Sequence, residues 1–529
     1  MPSPTVTPTQ IVSKETAVRV HDWMTQPGGD VDAWVEIQNL RTESYLNRLS
    51  AIEYFRTSIQ EIVDEPYRSA PTVRGGKSFD LRRESGEEQA SLWVSDEAGE
   101  RCLVSASEFG AMSDTIAEFA PSPDGSTVAW ALSHGGADWM VARFRSTESG
   151  TDNDDLIDGI KWPSFAWIDN STVAYLSWDR PPAGEELTAA NSGSCVRVHL
   201  LGTAQTEDAI LFQPEDTAWV IPSVSADRKW LVVQESVGTV PAKIFRQPVA
   251  TAHRDGWETV VDGAGPNSYI GVCNDETLVM SHAASPMGQV IGYHSDGTRR
   301  VIFEATTMTL DGAELVGDRL LLLGNKLDGG LLQLVGVDGG NLATLVLPDD
   351  AAVEDVTVDP EGKAVYVGLQ HIGGSRQVSK YSTAAEATKN ALVAPHVENL
   401  AVTSPSEPHD PTMWDVSIVE VTSSDGTKVP MRVVRAAGSV PSKNAKVLLS
   451  VYGGYSVHYL SSAYHAWHGA WLKAGGVLAY AGVRGGSELG ESWHEAGIRE
   501  NKQRGIDDLI ACIEWFEVKG WSSPKNVVI

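Results

Sequence analysis

The chain has 529 residues, 42% of them hydrophobic, and a formal charge of −29. That length allows more than one domain with a sizeable core, and the charge argues against nucleic acid or an anionic membrane as a partner, because both would repel it. Cys102, Cys195, Cys273 and Cys512 stand far apart with no Cys-x-x-Cys pair, the pattern of free thiols in a reducing compartment. The start, Met1-Pro-Ser-Pro-Thr5, has no basic or apolar leader region, and no apolar run reaches membrane-spanning length, so the chain reads as cytoplasmic.

Residues 1–29 are rich in Pro, Thr and Gly and read as extended. Beyond Asp30, Trp34, Ile37, Tyr45, Leu46, Leu49, Ile52, Phe55, Ile59 and Ile62 recur at three- and four-residue steps. That predicts one or two amphipathic helices, which Pro66 ends. From about Pro71 to Glu407 the helical period gives way to short strands. Strand, acidic turn and apolar strand recur around Asp124, Asp169, Asp227, Asp275, Asp318 and Glu361-Gly362, at intervals of 43 to 58 residues. Each unit predicts a hairpin, and the interval suits four-stranded propeller blades, with a sandwich array as the alternative. A seventh hairpin is expected at 92–104.

Residues 414–435, turning at Ser424-Asp425-Gly426, predict an edge hairpin. Val447–Val451 is a short apolar run, predicting a strand buried on both faces of a parallel sheet. Gly453-Gly454 breaks it, leaving Tyr452 at its carboxyl edge, where ligands bind in open α/β sheets. A helix over 461–474 and a second buried strand over 477–483, parallel and adjacent to the first, follow. A helix over 507–520 carries Asp507-Asp508 in its first turn and Lys519-Gly520 at its end, as the helix dipole favours. Residues 526–529 begin a third strand, expected in the sheet interior. Alternation of this kind indicates an α/β sheet.

Tyr452-Gly-Gly-Tyr455, Arg484-Gly-Gly-Ser-Glu-Leu-Gly490, Trp493-His494, Lys502-Gln503 and Asp507-Asp508 form an ordered set of blocks. Upstream stand Ser424-Asp-Gly-Thr-Lys-Val-Pro-Met431, Leu201-Gly-Thr-Ala-Gln-Thr-Glu-Asp208 and Ala137-Asp-Trp-Met140. In order and spacing, nearly the whole chain from about Ala33 resembles the prolyl oligopeptidase family of serine peptidases. The resemblance implies a helical segment (1–70) packing on the hydrolase domain, a seven-bladed β-propeller (71–408) and the first part of an α/β-hydrolase domain (409–529), incomplete at its C-terminal end.

The resemblance also assigns roles. Tyr452 matches the tyrosine that donates to the oxyanion, where a fixed donor contributes a few kcal/mol; the plainer reading is a core tyrosine. Tyr455 matches an aromatic, normally Phe, of the primary specificity pocket; otherwise it is a loop residue covering the core edge. Trp162, in Ile160-Lys-Trp-Pro-Ser164, aligns with an aromatic reaching from propeller to substrate; otherwise it belongs to a blade core. In the family the third strand runs into a glycine-flanked serine elbow. No Gly-x-Ser-x-Gly occurs in the 529 residues, so the chain reads as a peptidase that stops before its Ser-Asp-His triad and is itself inactive. His494 is read as structural, because the triad histidine comes last in this order.

The complete protein is expected to be a monomeric serine endopeptidase that cleaves short proline-containing peptides after proline, with the propeller gating access. The alternatives are cleavage after Lys or Arg, as in the oligopeptidase B branch, or a non-catalytic propeller binding scaffold. No cofactor is implied. His458, His465 and His468 have no carboxylate or cysteine at ligand spacing, so no metal site is expected.

Overall fold

The computed structural model describes residues 22–25 and 29–529, apart from 187, 238–239, 264, 328, 349–350, 373–375, 383–397, 401–409, 441 and 462–463. The proline-rich start (1–21) and the crossing expected near Pro408 lie outside the described residues. No helix is long and apolar enough to cross a membrane among the described residues.

The N-terminal periodicity resolves into two helices, α1 (Gly29–Leu46) and α2 (Ile52–Val63). Asp30 and Asp32 sit in the first turn of α1, where the helix dipole favours negative charge. Trp34 meets Trp23 edge-on, ring centroids 6.1 Å apart.

Seven antiparallel sheets follow in chain order: 67–104, 115–161, 165–212, 219–261, 267–304, 309–346 and 351–400. They are the blades of a seven-bladed β-propeller. First strands neighbour one another between blades 2 and 3, 3 and 4, 5 and 6, 6 and 7, and 7 and 1, which places them innermost. In blades 2 to 7 each acidic turn joins the first strand to the second. The reason is local. Asp124, Asp169 and Asp227 accept the N–H two residues on, from Ser126 (2.9 Å), Ser171 (2.8 Å) and Lys229 (3.2 Å). A short carboxylate thereby caps the turn.

Blade 1 departs from the expected register. Residues 92–104 form its outer hairpin, and the counterpart of the acidic turns is Gly75-Gly76, between Thr72–Arg74 and Lys77–Arg83. Glycine is required there because a Cβ on Gly75 would overlap the Asp124 carbonyl of blade 2. No strand is shared between first and last blades among the described residues. Polar contacts close the ring: Arg376 Nε donates to Arg68 O (2.7 Å), and the Ala70 N–H donates to Asp355 (2.7 Å).

The last sheet contains β1 (Trp414–Thr422), β2 (Lys428–Ala436), β3 (Val447–Val451), β4 (Val477–Ala481) and β5 (Val527–Val528), in the order β1-β2-β4-β3-β5. β1 and β2 are the expected edge hairpin. β3 and β4 run parallel, from Val447 opposite Val477 to Val451 opposite Ala481. Their apolar character, interrupted only at Ser450, follows from burial on both faces. Val447, Leu449, Val477, Ala479 and Ala481 pack with Cys512 and Phe516 on one side. Leu448, Leu478 and Tyr480 pack with Leu472 on the other. Burying a Leu or Phe in this way contributes about 1.5–3 kcal/mol.

Three boundaries are corrected. The crossover helix α3 spans only Ala466–Lys473, because the His465 N–H is taken by Nδ1 of His468 and helix begins after it. The long helix, numbered α5 below, starts at Lys502, not Asp507, so Asp507 and Asp508 are not in its first turn. β5 begins at Val527, one residue later than expected; Asn526 belongs to a 3-10 turn, with Lys446 and Ser523 holding its side chain. All four cysteines are free.

Candidate active site

Tyr452 follows directly on β3 and is 49% exposed. Its ring stacks between Tyr455 (6.2 Å between centroids) and Tyr459 (6.1 Å). The Tyr459 hydroxyl is tied to Ser450 Oγ at 2.6 Å, whereas the Tyr452 hydroxyl has no hydrogen-bond partner among the described residues. The row of rings fixes the phenol's direction and leaves its proton available.

The two glycine blocks explain one another. Gly453 lies at φ +61, and a Cβ there would strike Val483; one on Gly485 would strike Gly453 O. The Tyr-Gly-Gly and Arg-Gly-Gly segments are therefore packed backbone to backbone. Lys502 Nζ clamps Gly453 O at 2.5 Å from the start of α5 (Lys502–Val518). Arg484 anchors the second segment: its N–H and Nε both donate to Asp508 Oδ2 (3.0 and 2.9 Å), and Nη2 donates to Oδ1 (2.7 Å). Nη1 reaches Asp425, in the turn of the β1–β2 hairpin, at 2.6 Å. Arg484 and Asp508 are both buried.

Tyr455 and Ser456 both adopt left-handed backbone, φ +55, a strained conformation for residues other than glycine. Tyr455 lines a cavity of about 480 Å³. One wall comes from blades 4 to 7, including Asp311 and Asn325; the other comes from Ser456, His458 and Ser487, and from Glu491 and His494 on the short helix α4 (Glu491–Glu495). The Glu491 N–H donates to Pro286 O (2.8 Å), joining α4 to blade 5. His494 Nδ1 lies 2.7 Å from Gly485 O. Asp311 reaches the cavity through a β-bulge between Leu310 and Gly312; an Asp-Gly pair inside an apolar strand was the sequence cue that could have located it.

Trp162 lies elsewhere. Its ring stacks on Trp219 at 4.6 Å and meets Trp178 edge-on at 6.0 Å, with Lys161 Nζ 4.6 Å from its centroid. It adjoins the core shared by blades 3 and 4, at φ +52. The structure thus brings Tyr452 and Tyr455 together and puts Trp162 in a separate aromatic cluster. The Leu201–Asp208 block serves blade 3: Asp208 accepts from Tyr175 OH (2.8 Å) and pairs with His199 Nδ1 (2.8 Å).

Glu488 stands behind the Tyr459 loop. Oε1 accepts the Tyr459 N–H at 2.9 Å, Oε2 has no partner, and burial pushes the carboxyl up to about 7. The folded state therefore holds a proton that the unfolded state releases between about pH 4.5 and 7, so this group's contribution to stability falls as pH rises through that window. Glu488→Gln is expected to gain about 1–3 kcal/mol on the wild type between pH 4.5 and 7.5. Urea unfolding at the two pH values checks this; an unchanged difference would refute it.

Comparison with known proteins settles the family. The description "Prolyl oligopeptidase, N-terminal beta-propeller domain" matches residues 21–370, and "Prolyl oligopeptidase family" matches 463–529. The chain belongs to the prolyl oligopeptidase family. The prolyl endopeptidase of Elizabethkingia meningoseptica is 23% identical over 519 residues, 94% of this chain and 70% of that protein. A solved prolyl endopeptidase structure superposes with a TM-score of 0.85 at 24% identity, over 96% of this chain and 74% of the other. Prolyl oligopeptidase B from Galerina marginata, bound to a 25mer macrocyclization substrate, gives 0.85 at 20% identity, over 96% and 74%. By family this is serine-peptidase machinery, with its hydrolase fold of the α/β type.

Proposed function

We propose that these residues work within a serine endopeptidase that hydrolyses short peptides on the carboxyl side of proline. The reading is carried by the unpaired Tyr452 hydroxyl at the carboxyl end of β3, beside Tyr455 on the cavity wall. When a serine oxygen attacks the scissile carbonyl, negative charge develops on the carbonyl oxygen, and a pre-aimed phenol stabilises it together with a backbone amide. Tyr455 offers a flat aromatic wall to the proline ring. Trp162 is assigned a substrate contact on the propeller side, supported by its left-handed backbone. The propeller covers the site and admits only chains slender enough to enter. Residues 1–70, 71–408 and 409–529 are assigned as helical segment, propeller and hydrolase portion, and the enzyme as a monomer in the cytoplasm, a compartment its four free thiols suit.

The test is an assay of the serine-bearing enzyme on quenched peptides that differ only in Pro, Ala or Lys before the scissile bond. A kcat/KM at least about 100-fold higher for proline, the size a well-matched pocket supplies, is expected. Equal rates, or a preference for Lys, would overturn the reading.

A further inference from the structure

β3 has one polar residue, Ser450, in an otherwise apolar run. Serine buries less apolar surface than the Val and Leu around it, so the strand gives up packing at this point. What it gains is a tether: Ser450 Oγ lies 2.6 Å from the Tyr459 hydroxyl. Three further contacts hold Tyr459 and its neighbour. The Tyr459 N–H donates to Glu488 Oε1 at 2.9 Å. Its ring meets Tyr480 edge-on, centroids 5.9 Å apart, and Tyr480 is 1% exposed. Arg432 Nη1 donates to Leu460 O at 2.8 Å, which fixes the following residue.

Tyr459 also stacks on Tyr452, with planes 28° from parallel. The ring on the other side, Tyr455, is a weaker support. It is 68% exposed, its backbone is left-handed, and its hydroxyl has no hydrogen bond among the described residues. The Tyr452 hydroxyl has no partner there either, so nothing at the tip of that side chain sets its direction. A hop between staggered rotamers would carry a phenol oxygen several Å, whereas a catalytic donor has to stay within about 0.5 Å of its productive place. Of the two neighbouring rings, only Tyr459 is itself anchored at both its hydroxyl and its backbone.

We propose that Tyr459, tethered by Ser450, is a positioning residue that holds the Tyr452 phenol in the direction from which it donates to the developing oxyanion. The assignment rests on the oxyanion reading of Tyr452. Tyr459 acts through Tyr452 alone, and its own hydroxyl is occupied by Ser450.

A double-mutant cycle in the serine-bearing enzyme tests this, read as kcat and KM on a proline-containing peptide. Tyr459→Leu removes both ring and tether. It is expected to lower kcat about tenfold or more, since a misplacement of about 1 Å can cost as much as about 100-fold. KM is expected to stay within about twofold, because the phenol acts on charge present only in the transition state. In Tyr452→Phe there is no hydroxyl left to aim, so Tyr459→Leu is expected to add no further loss of kcat, the behaviour of groups that act as a unit. Tyr459→Phe and Ser450→Ala keep the ring and lose the tether. Each is expected to lower kcat about two- to tenfold, as one hydrogen bond of ordinary net strength supplies, and the two together no more than either alone. Should Tyr459→Leu fail to fold, these milder variants go through the same cycle. An undiminished kcat, or a loss as large in Tyr452→Phe as in the wild type, overturns the positioning role and leaves the oxyanion reading standing. Full turnover in Tyr452→Phe itself overturns both.

Discussion

Tyr452→Phe in the serine-bearing enzyme is expected to lower kcat by about 10²–10³, the loss measured when a single oxyanion donor is removed. KM should change little, because the hydroxyl bonds to charge that exists only in the transition state. Structure should be indifferent to the change. The Tyr452 hydroxyl bonds to nothing else among the described residues, and the ring keeps its stacking with Tyr455 and Tyr459. A melting temperature within a degree or two of wild type would accompany the lost turnover. Full turnover in the phenylalanine variant would end the oxyanion assignment. Low turnover with a large fall in stability would instead make Tyr452 a structural residue.

Arg484→Met is expected to destabilise the hydrolase portion by about 3–5 kcal/mol, the usual cost of removing one partner from a buried ion pair. Asp508, with 0% exposure, would lose the two hydrogen bonds from the guanidinium, keep only the one from the backbone N–H of residue 484, and remain a buried charge. Arg484→Lys should recover only part of this, since an ammonium cannot present the guanidinium's two-pronged face. Arg484→Met/Asp508→Leu should be markedly more stable than Arg484→Met alone, because the stranded carboxylate is gone. Hydrogen exchange of β3 and β4 amides reads the hydrolase portion apart from the blades. Protection unchanged in Arg484→Met would show that the pair does not hold the loop. The consequence extends to the site, because Gly453, next to Tyr452, packs on the Gly485 segment that Arg484 anchors.

Much of this architecture could be read from the chain alone. β3 and β4 were legible because strands covered on both faces carry apolar residues at nearly every position, and here both faces are filled, by α5 and by α3. The blade hairpins were legible because the first turns of blades 2 to 4 are each capped by their own aspartate, an interaction spanning two residues. Tyr452 and Tyr455 came together for the same reason: only the Gly453-Gly454 turn separates them. Asp507 and Asp508 misled, because their pattern resembles a helix start, while Asp508 is spent on Arg484, 24 residues earlier. Residues 92–104 misled because an outer hairpin has the same alternation as an inner one.

By itself, then, the sequence determined the strands, their turns, the propeller and the α/β sheet, since each rests on periodicity and on contacts between near neighbours. The tertiary structure alone decided the pairing of Arg484 with Asp508, the separate cluster around Trp162 and the cavity that Tyr455 lines. Asp311 and Glu491 stand far apart in the chain, on a propeller blade and a hydrolase helix. Nothing local records that they line one cavity, because a cavity is set by distance through the fold and not along the chain.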